Sequence, residues 1–159
     1  MNIRKGNSED MKAVLGLIQD LAHFEKEPDA VVVTVDDLIR DGFGPVPLFH
    51  VFVAEVESKI VGIALYYYRY STWKGKTIHL EDLIVKDEMR GKGIGYALYS
   101  EIMKQGKKDG VRRIDWHVLD WNTPAIEFYG KSGAKVHDDW RVAQMNEEGI
   151  NYFVENKLK

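Results

Sequence analysis

The chain predicts an α/β fold: a mixed central sheet of about seven strands, flanked by helices. Three observations carry that expectation. Short runs with alternating apolar residues are interleaved with longer runs whose apolar residues recur at helical spacing. The glycine-rich segment Arg90-Gly91-Lys92-Gly93-Ile94-Gly95 stands between a strand-like run and a helix-like run. A second strand, turn and helix follow it, with Thr123-Pro124 as a helix start and Gly133 as its stop.

Taken in order, Asn2 to Lys5 reads as a short first strand. Ser8 opens a helix to about Phe24, because Met11, Val14, Leu15, Leu17, Ile18 and Leu21 fall at helical spacing. Thr34-x-x-Asp37 is a capping signal for a short helix ending near Gly42. Residues 48–56 and 59–70 are strands joined as a hairpin at Glu57-Ser58. Residues 77–85 form the next strand, and the helix after the glycines runs from Ile94 to about Lys108. Residues 113–119 are a strand. Thr123 caps a helix whose first position is Pro124, where the missing N–H costs nothing. Residues 140–146 and 151–158 pair as a last hairpin around Glu147-Glu148-Gly149.

One strand is irregular. Ile78, Leu80 and Ile84 share a face that Asp82 interrupts, whereas Leu83 and Val85 are apolar on the other face. A β-bulge at Glu81-Asp82 accounts for the change of side, and so does burial of both faces.

Composition bounds the function. One domain spanning 1–159 is expected, with 45% apolar and 30% charged residues, as in an ordinary soluble protein. No apolar run reaches the roughly 18–20 residues of a membrane span, and the start lacks a signal-peptide core, so a cytoplasmic location is expected. Zero cysteines excludes disulfides, cysteine-ligated zinc and a cysteine acyl-enzyme. The five histidines have no HExxH spacing, so no metal is expected and each reads as a structural histidine. A net charge of −3 argues against a nucleic-acid binder. The basic cluster Lys104, Lys107, Lys108, Arg112 and Arg113 reads as a solvated helix end, with contact to a cofactor phosphate as the lesser reading.

The chemistry starts at the glycines. A glycine-rich turn between strand and helix aims backbone N–H groups at one point, and the helix dipole adds positive charge there. It therefore suits a phosphate or pyrophosphate. The spacing fits neither a dinucleotide fingerprint nor a P-loop. Gly130-Lys131-Ser132 imitates the end of a P-loop, but Ala125 stands where its first glycine belongs. Further on, Asn122 and Tyr129 are about two helical turns apart and lie on roughly one side. The plainer reading of Tyr129 is a core tyrosine beside Phe128.

These two motifs, in this order, resemble the GCN5-related N-acetyltransferase (GNAT) superfamily. Asp20-Leu-Ala-His-Phe-Glu25, Asp41-Gly-Phe-Gly44, His79-Leu-Glu-Asp82, and the segments 90–95 and 120–129 resemble its diamine branch, the spermidine/spermine and thialysine N-acetyltransferases. The resemblance implies the GNAT fold, acetyl-CoA as co-substrate and a homodimer. It implies a bulge in strand 77–85, where the pantetheine arm runs beside Leu83, Ile84 and Val85. Pyrophosphate falls to Arg90, Gly91, Lys92, Gly93, Ile94, Gly95 and Tyr96, and Asn122, Pro124, Ala125 and Tyr129 complete the cofactor set.

An amine attacking a thioester must first lose a proton. With a pKa near ~10.4, only about one part in 10³ is neutral at pH 7. The resemblance gives Glu81 the role of proton acceptor and Tyr129 that of proton donor to the departing sulfur. A cationic acceptor also needs anionic and aromatic walls. Phe24, Glu25, Glu81, Asp82, Asp138 and Trp140 are the candidates. Asp138-Asp139-Trp140-Arg141 departs from the acidic pair, glycine, Trp-Arg pattern of the spermidine/spermine enzymes, which shortens carboxylate reach toward a long polyamine. The expected reaction is acetyl transfer to a small-molecule amine in a ternary complex. Acetylation of a protein lysine or N-terminus is the first alternative. An acyl-CoA sensor without catalysis is the second, and it gives Glu81 and Tyr129 no purpose.

Overall fold

Asn7, rather than Ser8, starts the first helical segment. Its side chain accepts a hydrogen bond from the Glu9 N–H at 2.9 Å, and its own N–H donates to Asp10 Oδ2 at 2.8 Å. This reciprocal cap winds a 3₁₀ turn, Ser8–Asp10, that leads into α1, Met11–Phe24. The computed structural model describes residues 1–158. After α1 come α2 (Val35–Phe43), β2 (His50–Val56), β3 (Lys59–Ser71), β4 (Gly75–Val85), a 3₁₀ turn (Asp87–Met89), α3 (Ile94–Lys108), β5 (Ile114–Asp115), α4 (Thr123–Lys131) and α5 (Glu147–Lys157), with β1 at Asn2–Lys5. Two compact units divide the chain, Met1–His117 and a second that begins at Val118.

In the first unit the strands lie in the order β1-β2-β3-β4-β5, the first four antiparallel and β5 parallel to β4. Glu57 and Ser58 both take left-handed backbone, φ 50° and 59°, the turn whose twist matches a two-residue hairpin. Thr34 caps α2 as its spacing predicts, exchanging bonds with Asp37. On one side of the sheet Met11, Val14 and Leu17 of α1 and Leu38 of α2 pack with Val51, Val53, Ile63, Leu65 and Ile84. The approach of α3 to the sheet is close at Gly62, where a Cβ would meet Leu98 Cδ1 at 3.1 Å and Ile84 O at 2.9 Å.

The sheet has five strands, not about seven. The expected strand at 113–119 contracts to Ile114–Asp115. The expected last hairpin is replaced by helix α5, and residues 140–146 form no strand. Local capping explains the helix. Asn146 accepts from the Gly149 N–H at 2.9 Å, Glu147 and Glu148 sit in the positive first turn, and Lys157 sits in the last. Ile150, Phe153 and Val154 also satisfy i, i+3, i+4 spacing, so the run 150–158 carries both periods. In α4 the cap is Asn122, not Thr123, and Pro124 falls in the first turn, second in the helix.

Candidate active site

The bulge in β4 is real. Asp82 pairs with Leu65 and Leu80 with Tyr66, which leaves Glu81 as the extra residue. It is pushed out of the ladder with its carboxylate about half exposed. Both faces of β4 are buried before the bulge, at Thr77, Ile78, His79 and Leu80, so the two explanations of its pattern hold together. Past the bulge Leu83, Ile84 and Val85 pair with Ala64, Ile63 and Gly62 of β3. On the other side β5 pairs only with Ile78 and His79, and among the described residues no strand borders the rest of β4 there.

The chain turns from β4 into α3 through the glycines. Gly91 and Gly93 take φ 75° and 79°, and Gly93 is the N-cap, with no side chain closing the helix end. Left-handed backbone at both glycines turns successive N–H groups toward a common concavity. A Cβ on Gly91 or Gly93 would meet nothing within 4 Å, so backbone conformation and not crowding calls for glycine. The side chains of the segment divide. Ile94 is buried, Tyr96 is exposed, and Gly95 faces Val85. Lys92 reaches back to the Glu88 carbonyl at 3.1 Å. Arg90 holds the turn in place: Nε donates to Val85 O at 3.2 Å, Nη2 pairs with Asp87 at 2.8 Å, and the guanidinium lies 5.3 Å from the Phe24 ring centroid.

That last contact brings the end of α1 to the site. Glu25 follows Phe24, and burial holds its carboxyl above the usual range. The Asp82 carboxyl is pushed up to about 7, first by burial, then by the negative charges of Glu81 and Glu25. Two of the sequence-predicted carboxylates, Glu81 and Glu25, therefore act electrostatically on a third, Asp82. Tyr67 hydrogen-bonds Glu81, and burial with that bond pushes its hydroxyl up to about 12.

Tyr67 and Asp115, which sequence reasoning did not name, and His79, which it read as a structural histidine, complete the surroundings. Tyr67 is the cross-strand partner of His79, with ring centroids 5.3 Å apart. The His79 Nδ1 lies 2.6 Å from Asp115 Oδ1, and its Nε2 lies 3.5 Å from Glu81 Oε2. The position of His79, two residues before Glu81 on a strand, was the available signal. Asp115 had none, since its role depends on β5 pairing with β4.

The remaining candidates lie in the second unit. The Asn122 side chain accepts from the Ala125 N–H at 3.4 Å, which fixes the start of α4 around Pro124. Tyr129 is buried and makes an edge contact with Phe128, ring centroids 5.3 Å apart. Asp138 and Trp140 are exposed, Trp140 at 75%.

The family model for the acetyltransferase (GNAT) family matches residues 17–134. The chain belongs to this family, and it is an acetyltransferase. Thialysine N-epsilon-acetyltransferase of Bos taurus is 40% identical over 141 residues, covering 84% of this chain and 83% of the relative. Spermidine/spermine N(1)-acetyltransferase-like protein 1 of Homo sapiens is 33% identical over 158 residues, covering 93% of this chain and 23% of that longer one. A solved aminoglycoside N-acetyltransferase in complex with CoA shares the fold, with a TM-score of 0.72 at 18% identity over 91% of this chain and 93% of that one.

Proposed function

We propose that this acetyltransferase moves acetyl from acetyl-CoA to a primary amine of a small cationic acceptor, a polyamine, a diamine or a thialysine-like amino acid, by direct transfer in a ternary complex. The carrying observation is the trio Glu25, Glu81 and Asp82, with Asp82 pushed up to about 7 by burial and then by the charges of the other two. A partly buried carboxylate with two others acting on it, at the bulge of β4, suits a ligand with more than one ammonium group. The small-amine acceptors in the names of the relatives support the same class.

The residues fit acetyl-CoA. Left-handed Gly91 and Gly93 with the uncapped start of α3 suit its pyrophosphate. Lys92, Gly95 and Tyr96 flank that turn, while Arg90 and Ile94 shape it from behind. The open edge of β4 at Leu83, Ile84 and Val85 offers backbone groups to the amides of the pantetheine arm. Bound acetyl-CoA supplies the acetyl thioester. Glu81 takes the ammonium proton, either directly or through a water, and Asp82 and Glu25, with Phe24 beside them, hold the remaining positive charge. In the second unit Asn122, Pro124 and Ala125 keep the cofactor role the resemblance gives them, Tyr129 that of proton donor to the departing thiolate, and Asp138 and Trp140 that of acceptor contacts.

The family match crosses the division between the units, and we take 1–159 as one catalytic domain. The same reading expects a cytoplasmic homodimer; no described helix is long and apolar enough to cross a membrane. The deciding experiment measures thiol release from acetyl-CoA across spermidine, spermine, putrescine, lysine, thialysine and a lysine peptide. Saturable turnover with one small amine is the expected result. Turnover with the peptide alone moves the assignment to protein acetylation. Silence on all six, with acetyl-CoA still bound, removes the small-amine reading.

A further inference from the structure

Behind Glu81 stands a buried histidine with a carboxylate of its own. His79 is 3% exposed. Its Nδ1 lies 2.6 Å from Asp115 Oδ1, the shortest contact of the ring, and the tautomer that donates there leaves the lone pair on Nε2. Asp115 is already neutralised by two guanidiniums, Arg69 at 2.9 Å and Arg113 at 3.0 Å. Arg69 Nη1 also lies 2.9 Å from His79 Nδ1, and in the same tautomer it donates to Asp115 Oδ1 instead, at 2.9 Å. In that tautomer the Nε2 lone pair faces Glu81 Oε2 at 3.5 Å, the outer limit of a hydrogen bond.

A lone pair facing a carboxylate is an incomplete arrangement. It is completed by one proton between the two, and the proposed reaction delivers one proton to Glu81. We propose that His79, oriented by Asp115, is the positioning and proton-relay partner of Glu81: it accepts a hydrogen bond from the protonated carboxyl and draws the transferred proton toward Nε2. The inference rests on the reading of Glu81 as proton acceptor. The balance is simple. The amine N–H bond breaks as the Glu81 O–H bond forms; that proton then shifts toward Nε2 while Nδ1–H holds Asp115. It returns through the half-exposed Glu81 carboxylate to water after the product leaves. The surrounding groups bear on the balance of charge. Tyr67 and Arg69 face the ring from β3, Asp115 and Arg113 from β5 and the residue before it, and His117 from beyond β5 at 5.2 Å between centroids. Glu81 lies on the same strand, next to Asp82, whose carboxyl is raised by burial and by the charges of Glu81 and Glu25.

The test compares the pH profile of kcat and its proton inventory in mixed H₂O/D₂O for the full chain, Glu81→Gln, His79→Gln and Asp115→Asn, each checked for an unchanged unfolding midpoint. Glu81→Gln tests the underlying reading, and its turnover is expected to fall by at least ~10²-fold. A glutamine amide is a far weaker base than an imidazole nitrogen, so in His79→Gln the protonated Glu81 carboxyl is less stable and the acid limb moves to lower pH by about half a unit to one unit. The weaker base lowers kcat by about 10-fold with KM for acetyl-CoA unchanged, and the inventory straightens from two protons to one. Asp115→Asn, at a partly exposed position and therefore milder for folding, moves the limb in the same direction. A folded His79→Gln with the parent limb and inventory overturns the relay, whatever its kcat, while an inactive Glu81→Gln leaves the base intact. Full turnover by Glu81→Gln overturns both.

Discussion

Two carboxylate clusters in the first unit have opposite fates. At the start of the chain Asp10 receives two bonds from Arg4, at 2.7 and 2.9 Å, and Arg4 also reaches Glu55 at 3.0 Å. The Arg4 bonds, the largest cause, hold the Asp10 carboxyl below its usual range. Beside the β4 bulge, Asp82 and Glu25 carry no ion pair among the described residues, and both carboxyls are held above the usual range. The first cluster satisfies its charges within the protein and ties β1 to α1. The second leaves charge unsatisfied in a partly buried place, which costs stability and suits a cationic ligand.

Breaking the second cluster at its centre gives the largest effect. Glu81→Gln is expected to lower kcat by roughly 10³-fold in the thiol-release assay, with acetyl-CoA affinity retained by calorimetry. Tyr129→Phe comes next, with turnover down by about 10–10²-fold and little change in CoA binding. Unchanged turnover at saturating substrates would remove the proton-donor role.

Asp82→Asn is expected to raise KM for a diamine by about 10-fold, the loss of one charge-assisted contact. It also sharpens the contrast in stability. Because the folded Asp82 carboxyl titrates near 7, above its ordinary value of 3.8, the native state binds the extra proton. Parent stability therefore falls as pH rises from about 4 to about 7. The Asn variant lacks that slope, so its unfolding midpoint exceeds the parent's at pH 8, and the gap closes toward pH 4.

Asp10→Asn is the smallest and opposite case. The depressed Asp10 carboxyl contributes stability that is present above pH 4 and lost as pH falls through its folded value. Removing it should cost about 1 kcal/mol at pH 7 by denaturant titration and leave kcat and KM alone. A changed KM would mean that the two clusters are not independent.

Legibility followed distance along the chain. The Thr34-x-x-Asp37 cap, the Glu57-Ser58 turn, the span of α3 and the glycine turn were readable because each depends on residues a few positions apart. The bulge was readable as a phase change in apolar residues, though only the register with β3 assigned it to Glu81. The last element was misread because 151–158 carries strand and helix periods together, and the Asn146 cap with its two following glutamates decides for helix.

By itself the sequence determined the α/β order of the first unit, the family motifs and the glycine turn that suits a pyrophosphate. Those features are local, set by backbone freedom, capping and hydrophobic period. Only the tertiary structure decided that Glu25 comes within reach of Asp82, and that Asp115 stands behind His79. These juxtapositions need α1 packed on the sheet and β5 laid parallel to β4. A carboxylate's charge state depends on what burial and neighbours surround it, and no spacing along the chain encodes that.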